Sequence, residues 1–422
     1  MKTLKLLLLF ILICTQNFYG QGKWTHFTKN NGLTSIWVQA ILEDSQGNIW
    51  FGTNKGLNKY NGAELETFNT SNGLAGNKVK ALGEDKNGVL WIATEGGICK
   101  YDGEKFITLR KDRKSPKYFI LDIKKDKNEN LWLGGRIMDK PNKGILLKHD
   151  GESLSTFQQL AGNDIHTIYK IFPDNKGNIW TVSTNSLGDF MFQYNGISWK
   201  AYGLKDGIFL DIPSGHAKEA VQNTLEDSKG NLWFRACVKT RDGKNTSYGS
   251  LMKFDGNTLQ AYGVNGLIGN GVTGFTEDNE GNIWLGSFYG VSVFDGNSLL
   301  KYQNTTYLPV NIINSIKNDR KGNVWIGTNL GLVVFDGTNW NQFDKSTIVS
   351  KAIQTIFVDS KDNIWIGAGN GLTKGGIAMY NGEKWIYFTD RKTFGAFAMN
   401  FFEDSKGNIW AITKSGISKY EY

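Results

Sequence analysis

Nine times in this chain an aspartate stands six residues before a tryptophan: Asp44/Trp50, Asp85/Trp91, Asp126/Trp132, Asp174/Trp180, Asp227/Trp233, Asp278/Trp284, Asp319/Trp325, Asp359/Trp365 and Asp404/Trp410. Each pair lies in a longer unit. Apolar alternation leads into the Asp, and a Trp-Ile-Gly-Thr run, a Gly-Leu step, a Tyr-Asn-Gly turn and a short aromatic run follow the Trp. Successive tryptophans are 40 to 53 residues apart, the period of a four-stranded propeller blade. Period-two alternation bounded by Gly, Asn and Asp divides each unit into strands a, b, c and d. In the first unit these are 38–44, 48–53, 56–60 and 64–68.

The turn between strands a and b reads Asp-x-x-Gly-Asn. Its Asp side chain bonds the backbone two residues on, and its Gly takes the positive-φ position. Glu129 and Asp362 replace that Gly in two units; Asp tolerates the conformation, while Glu is expected to strain by roughly 1 kcal/mol. A calcium loop needs several oxygen ligands and usually more than one carboxylate. Most of these turns supply one, so they read as structural turns and no cofactor is expected. One Trp per strand b, flanked by Ile and Gly, reads as the packing core between sheets.

The ends of the chain complete the fold. The last unit supplies strands a, b and c and stops at Tyr422, whereas Lys23-Trp24-Thr25-His26-Phe27 matches strand d as it stands at Lys384-Trp385-Ile386-Tyr387-Phe388. Pairing the two ends leaves no open edge. The expectation is all-β: one closed propeller of nine four-stranded blades, the N-terminal strand completing the last. Two smaller rings are the alternative.

These motifs, with Asn31-Gly32-Leu33 and Asn72-Gly73-Leu74 ahead of strand a, resemble the two-component regulator propeller repeat across the mature chain. The resemblance implies an extracytoplasmic sensor. Such repeats commonly belong to membrane-bound hybrid histidine kinases, many of which sense glycan fragments. This sequence departs from that pattern in having no Ig-like domain after the propeller, no membrane helix and no kinase.

Residues 1–20 read as a secretory signal. Lys2 and Lys5 precede an apolar run from Leu6 to Cys14, too short to span a bilayer. Residues 21–422 are then the propeller, exported to the periplasm or the outside, with no later stretch apolar enough to insert in a membrane. Without Lys2 and Lys5 the formal charge is 46 basic minus 40 acidic, +6. That mild excess is no nucleic-acid footprint. Cys99 and Cys237 stand three units apart and are expected as separate buried thiols.

Strand parity places the a–b and c–d turns on one face of the ring and the b–c and d–a loops on the other. The first face is constant: Asp to Trp is always six residues, and the c–d turn is a tight Asn-Gly or Asp-Gly. The second absorbs the growth. From Trp to the c–d Gly is 12 residues in units 1, 2, 6 and 7, but 19, 16, 23 and 17 in units 3, 4, 5 and 8. From that Gly to the next Asp is 22 or 23 residues except from Gly196 to Asp227, where it is 31. Loops that vary on one face mark a working surface.

Arginine is concentrated there. Of seven Arg, six (Arg110, Arg113, Arg136, Arg235, Arg241 and Arg391) fall in or beside those loops, and Arg320 alone sits in an a–b turn. A guanidinium offers a planar fork for carboxylate, phosphate or sulfate. Aromatic residues in the same loops can stack on sugar rings or seat a protein. The candidate ligand-binding set is Arg113, Arg136, Arg235, Arg241, Arg391, Tyr118, Phe209, His216, Tyr248 and Tyr289. None is expected to be catalytic. His26, His149, His166 and His216 have no metal-ligand spacing, although His216 near Asp211 and Glu219 leaves an acid–base role open.

Three functions remain in play. The first is a binding module for an oligosaccharide or other acidic or polar ligand, using the loops of units 3 to 5 as a sensory component. The second is an interaction scaffold for a membrane sensor or another envelope protein. The third is a propeller lyase or hydrolase. Virginiamycin-inactivating lyases have similar repeats, but their His-rich metal site has no counterpart here.

Overall fold

The computed structural model describes residues 22–109, 116–185, 188–202, 224–239, 246–262, 272–288, 290–302, 312–343, 350, 352–369, 375–390 and 398–422. Within them lie nine four-stranded antiparallel sheets and one two-stranded ribbon. Each sheet is a blade in the order a-b-c-d. Blade 1 is Val38–Glu43, Ile49–Thr53, Leu57–Tyr60 and Leu65–Phe68. Blade 9 takes Ala398–Glu403, Ile409–Thr413 and Ile417–Glu421 from the C-terminal end. Its strand d is Lys23–Phe27, paired from Lys23 opposite Glu421 to Phe27 opposite Ile417.

The Asp at each a–b turn holds more than the turn. In blade 1, Asp44 Oδ1 accepts the N–H groups of Gln46 and Asn48 at 3.0 and 2.8 Å. Gly47, at φ 79°, donates back to the Asp44 carbonyl. The other oxygen, Oδ2, accepts the indole N–H of Trp50 at 2.7 Å. That Asp–Trp bond recurs in all nine blades at 2.7–2.9 Å. The six-residue spacing is therefore a chemical constraint. The single a–b turn brings the second residue of strand b over the carboxylate, and a buried indole N–H needs that acceptor. Glu129 and Asp362 adopt φ 61° and 66°, as expected of the Gly replacements. Glu129 also pairs with Lys125 at 2.9 Å, a contact that offsets part of its strain.

Blades join through the same tryptophans. The last strand-c aromatic of each blade packs on the Trp of the blade before it, with ring centroids 4.6 to 5.8 Å apart. The core accordingly divides into nine clusters, each shared by two neighbouring blades. One of them unites Trp410 and Ile417 of blade 9 with Ile49, Phe51 and Tyr60 of blade 1. Ser405 in the blade 9 turn donates its N–H and hydroxyl to the Glu43 carboxylate of blade 1 at 2.7 and 2.6 Å. The ring is closed as one circle of nine.

Candidate functional site

The two faces differ as the spacing requires, but much of the extra length on the variable face is strand. In blade 3, strand b runs Leu131–Ile137 and strand c Lys140–His149, seven and ten residues, against five and four in blade 1. Blades 4 and 5 are extended likewise, at Ile179–Asn185 with Gly188–Tyr194 and at Leu232–Lys239 with Thr246–Phe254. Sequence length alone read these additions as loops. They are hairpins that stand up from the ring over three adjacent blades.

Blade 3 shows how the raised edge is built. Its strand a is Tyr118–Lys125. Phe119 lies opposite Arg136, and a bulge follows between Ile120 and Asp122. The Arg136 guanidinium sits over the Phe119 ring, 5.0 Å from its centroid. An arginine stacked on a ring keeps its planar fork available for an anion. Arg136 also lies opposite Gly144 in strand c, whose N–H donates to the Ile165 carbonyl at 2.8 Å. A Cβ at Gly144 would meet the His166 carbonyl oxygen at 1.5 Å, so glycine is required for the blade 4 entry loop to close here. That loop carries the small ribbon of Gln159–Leu160 and Asn163–Asp164.

Tyr118 takes a different position from Arg136. It is the first residue of strand a, packs against the core shared by blades 2 and 3, and burial raises its phenol pKa. Arg235 and Tyr248 lie on the raised strands of blade 5, two positions apart along strand b: Arg235 pairs with Leu251 and Tyr248 with Cys237. For these two the backbone alone is described. Arg113, Arg241, Arg391, Phe209, His216 and Tyr289 lie outside the described residues. Elsewhere on the variable face, Trp37 and Phe288 are about half exposed.

The strand-a carboxylate Asp122 was not singled out from sequence. It is buried, accepts the Ile171 N–H at 2.9 Å, and has Lys170 and Lys124 at 3.7 and 4.0 Å. Its signal was an Asp interrupting the apolar alternation of a strand. Cys99 is a free buried thiol, as expected, and burial pushes its pKa up to about 11. Among the described residues, no three His, Cys, Asp or Glu side chains are grouped to hold a metal ion.

A ring of nine four-stranded blades, with like a–b turns on one face and raised hairpins over blades 3 to 5 on the other, defines an all-β propeller. The model of the two-component regulator propeller matches four stretches of the chain, residues 32–55, 73–96, 266–289 and 307–330. Among solved structures it is similar to the extracellular domain described as that of a hybrid two-component system of B. thetaiotaomicron. Identity there is 16%, over 94% of this chain and 83% of that one, with a TM-score of 0.37. A further extracellular domain from B. thetaiotaomicron, seen in two structures, is longer, and the chain spans 61% and 58% of them. It is also similar to virginiamycin B lyase from Staphylococcus aureus, at 12% identity over 95% and 99% of the two chains and a TM-score of 0.41. A third likeness is to PorZ, a surface component of the type-IX secretion system of Porphyromonas gingivalis. It is 13% identical over 94% and 73%, with a TM-score of 0.35. No curated protein sequence matches the chain.

Proposed function

We propose that the chain is the recognition ring of an extracytoplasmic sensory system, exported by its N-terminal signal, which binds a polar or acidic small ligand or oligosaccharide on the raised face of blades 3 to 5. The observation that carries this reading is the asymmetry of the faces. Each a–b turn has its Asp carboxylate committed to an internal Asp–Trp lock, whereas the opposite face holds the added hairpins and Arg136 presented on Phe119. Binding surfaces are commonly mounted this way, on variable segments held by a rigid frame. Arg113, Arg235, Arg241 and Arg391 would share the polar contacts with Arg136, and Phe209, Tyr248, Tyr289, His216 and Tyr118 would supply stacking and hydrogen bonds around them.

The test is a panel of neutral and acidic oligosaccharides against the purified ring, with hydrogen exchange mapping each ligand that binds. Protection of the raised hairpins of blades 3 to 5 is expected. Protection confined to the a–b face, or no ligand protecting either face, would sink the proposal.

A further inference from the structure

Resting on that reading, we infer that the raised edge of blade 3 is a multi-point site for a ligand carrying two or more anionic groups, with Arg136 as its fixed element and Lys117, Lys140 and Lys143 as its outer contacts. The hairpin register brings these cations together. Met138 at the tip donates its N–H to the Lys117 carbonyl at 2.9 Å, which sets Lys117 beside the hairpin. Lys140 lies opposite Ile137, next to Arg136. The register then slips between Arg136 and Ile137, so residues 141–143 bulge out and carry Lys143 just ahead of Gly144. Three adjacent strands at about 4.8 Å spacing therefore hold the backbone of all four residues within roughly 10 Å across the sheet, at an exposed hairpin edge where long Lys side chains can reach round to the Arg136 side.

The cations are not consumed by the fold. Lys117, Lys140 and Lys143 are exposed, and among the described residues no ion pair engages them or Arg136. The acids nearby are few. Asp139 is at the hairpin tip, Asp164 on the blade 4 ribbon already accepts from Gln159 Nε2 at 2.8 Å, and Asp122 lies deeper with Lys124 and Lys170. The described b–c tips of blades 1, 2, 7 and 9 are Asn54-Lys55, Glu95-Gly96, Asn329-Leu330 and Lys414-Ser415, with at most one cation each. Among these described tips the charge is concentrated on blade 3, and by sequence the blade 5 segment, with Lys239, Arg241 and Lys244, is the other basic one. Phe119 adds what a diffuse basic patch lacks: it holds the guanidinium in one orientation, so the fork meets a planar carboxylate or a tetrahedral oxyanion without first losing side-chain freedom.

Sulfate, carboxylate and phosphate share this chemistry, and three probes separate them: a sulfated dextran oligomer, tetragalacturonate and inorganic tripolyphosphate, with maltotetraose as the neutral control. Affinities would be measured by calorimetry on the full ring at low and physiological salt. At least one anionic probe is expected to bind, more weakly as salt rises. The variant K117A/K140A/K143A is expected to raise its Kd by about tenfold or more, and Arg136→Ala by a similar factor, with Arg136→Lys restoring only part. K321A/K361A/K406A on the opposite face should leave Kd within about twofold, because those charges lie beyond a Debye length of the site. The inference is overturned if no anionic probe binds, if the blade 3 variants bind as wild type does, or if the opposite-face variant loses as much. A neutral sugar that protects the raised hairpins while every anion fails would remove this inference and leave the recognition reading standing.

Discussion

The carboxylate that begins each a–b turn is the most constrained atom group in the molecule, and the sequence half disclosed it. Asp as a turn former was legible, because Asp followed by Gly three residues on has a local mechanism. Its second role was not, since the Trp series had a sufficient explanation in packing alone. Only the strand register shows that the sixth residue lies over Oδ2. In blade 4, Asp174 accepts from the Asn178 N–H and amide at 2.7 Å each and from the Trp180 indole at 2.9 Å. Asp174→Ala would strand three largely buried donors, at about 1–3 kcal/mol each before relaxation. We expect a loss of about 3–5 kcal/mol in urea unfolding, and a loss under 1 kcal/mol would refute the lock. Blade 2 is the exception that tests the rule. Eight blades place an Asn amide on Asp Oδ2, but blade 2 has Val89 there. The neighbouring strand-c residue, Tyr or Phe elsewhere, is His149, buried on Trp91 with Nδ1 3.5 Å from Asp85 Oδ2. Burial chiefly, then the Lys100 charge, lowers the His149 pKa; Asp85 and Asp150 act in the opposite direction, and Lys86 adds to the lowering. A histidine with its folded pKa below 6.5 binds its proton more readily when unfolded. The stability it contributes is therefore complete above pH 6.5 and is lost as pH falls from there through the folded value. Thermal melts from pH 7.5 to 5 should show a fall in wild type that is reduced in His149→Phe. Parallel curves would rule this out.

At the scale of the element, the variable face was partly legible and partly misread. Residue counts between fixed landmarks located the added length in units 3 to 5, because strand parity leaves an insertion only one face to occupy. The counts could not say that the insertions pair, since Lys140-Pro141-Asn142-Lys143 has neither the alternation nor the turn signature of a strand. The seams between blades were invisible for another reason: they join residues about forty positions apart. A Ser following the turn Asp donates to a Glu at the end of the next strand a in four seams, Ser45 to Glu84, Ser228 to Glu277, Ser360 to Glu403 and Ser405 to Glu43. Hydrogen bonds to a charged acceptor contribute about 1.5–3 kcal/mol. Glu43→Ala should therefore lower stability by about 1–2 kcal/mol, the lower end reflecting an exposed Ser405, and should raise hydrogen exchange in the 405–408 turn. Unchanged exchange there would show that the seam is held by its aromatic contacts alone.

For the whole molecule, circular closure is what converts nine marginal sheets into one cooperative body. A blade alone would expose an apolar face on each side, and the shared clusters leave none of the nine with a core of its own. The joint formed by the chain's two ends is the one place where a single short segment completes the circle. Lys23–Phe27 gives blade 9 its outer strand, Trp24 packs on Tyr420 and Phe388 at 5.0 and 5.1 Å, and Phe27 stacks on Trp410 at 5.7 Å. Removing residues 22–27 would strip the ladder partner from Ile417–Glu421 and uncover the Tyr420 and Trp410 surfaces in two adjacent seams. A bare strand edge beside apolar surface pairs with other chains. The truncated protein is therefore expected to associate through blade 9 and to be cut by protease first between blades 8 and 1, and a peptide Gly22–Phe27 added in excess should suppress both effects. A truncated ring that stays monomeric, resists protease and melts with the same midpoint would mean that the seams alone carry closure and that the N-terminal strand merely decorates it.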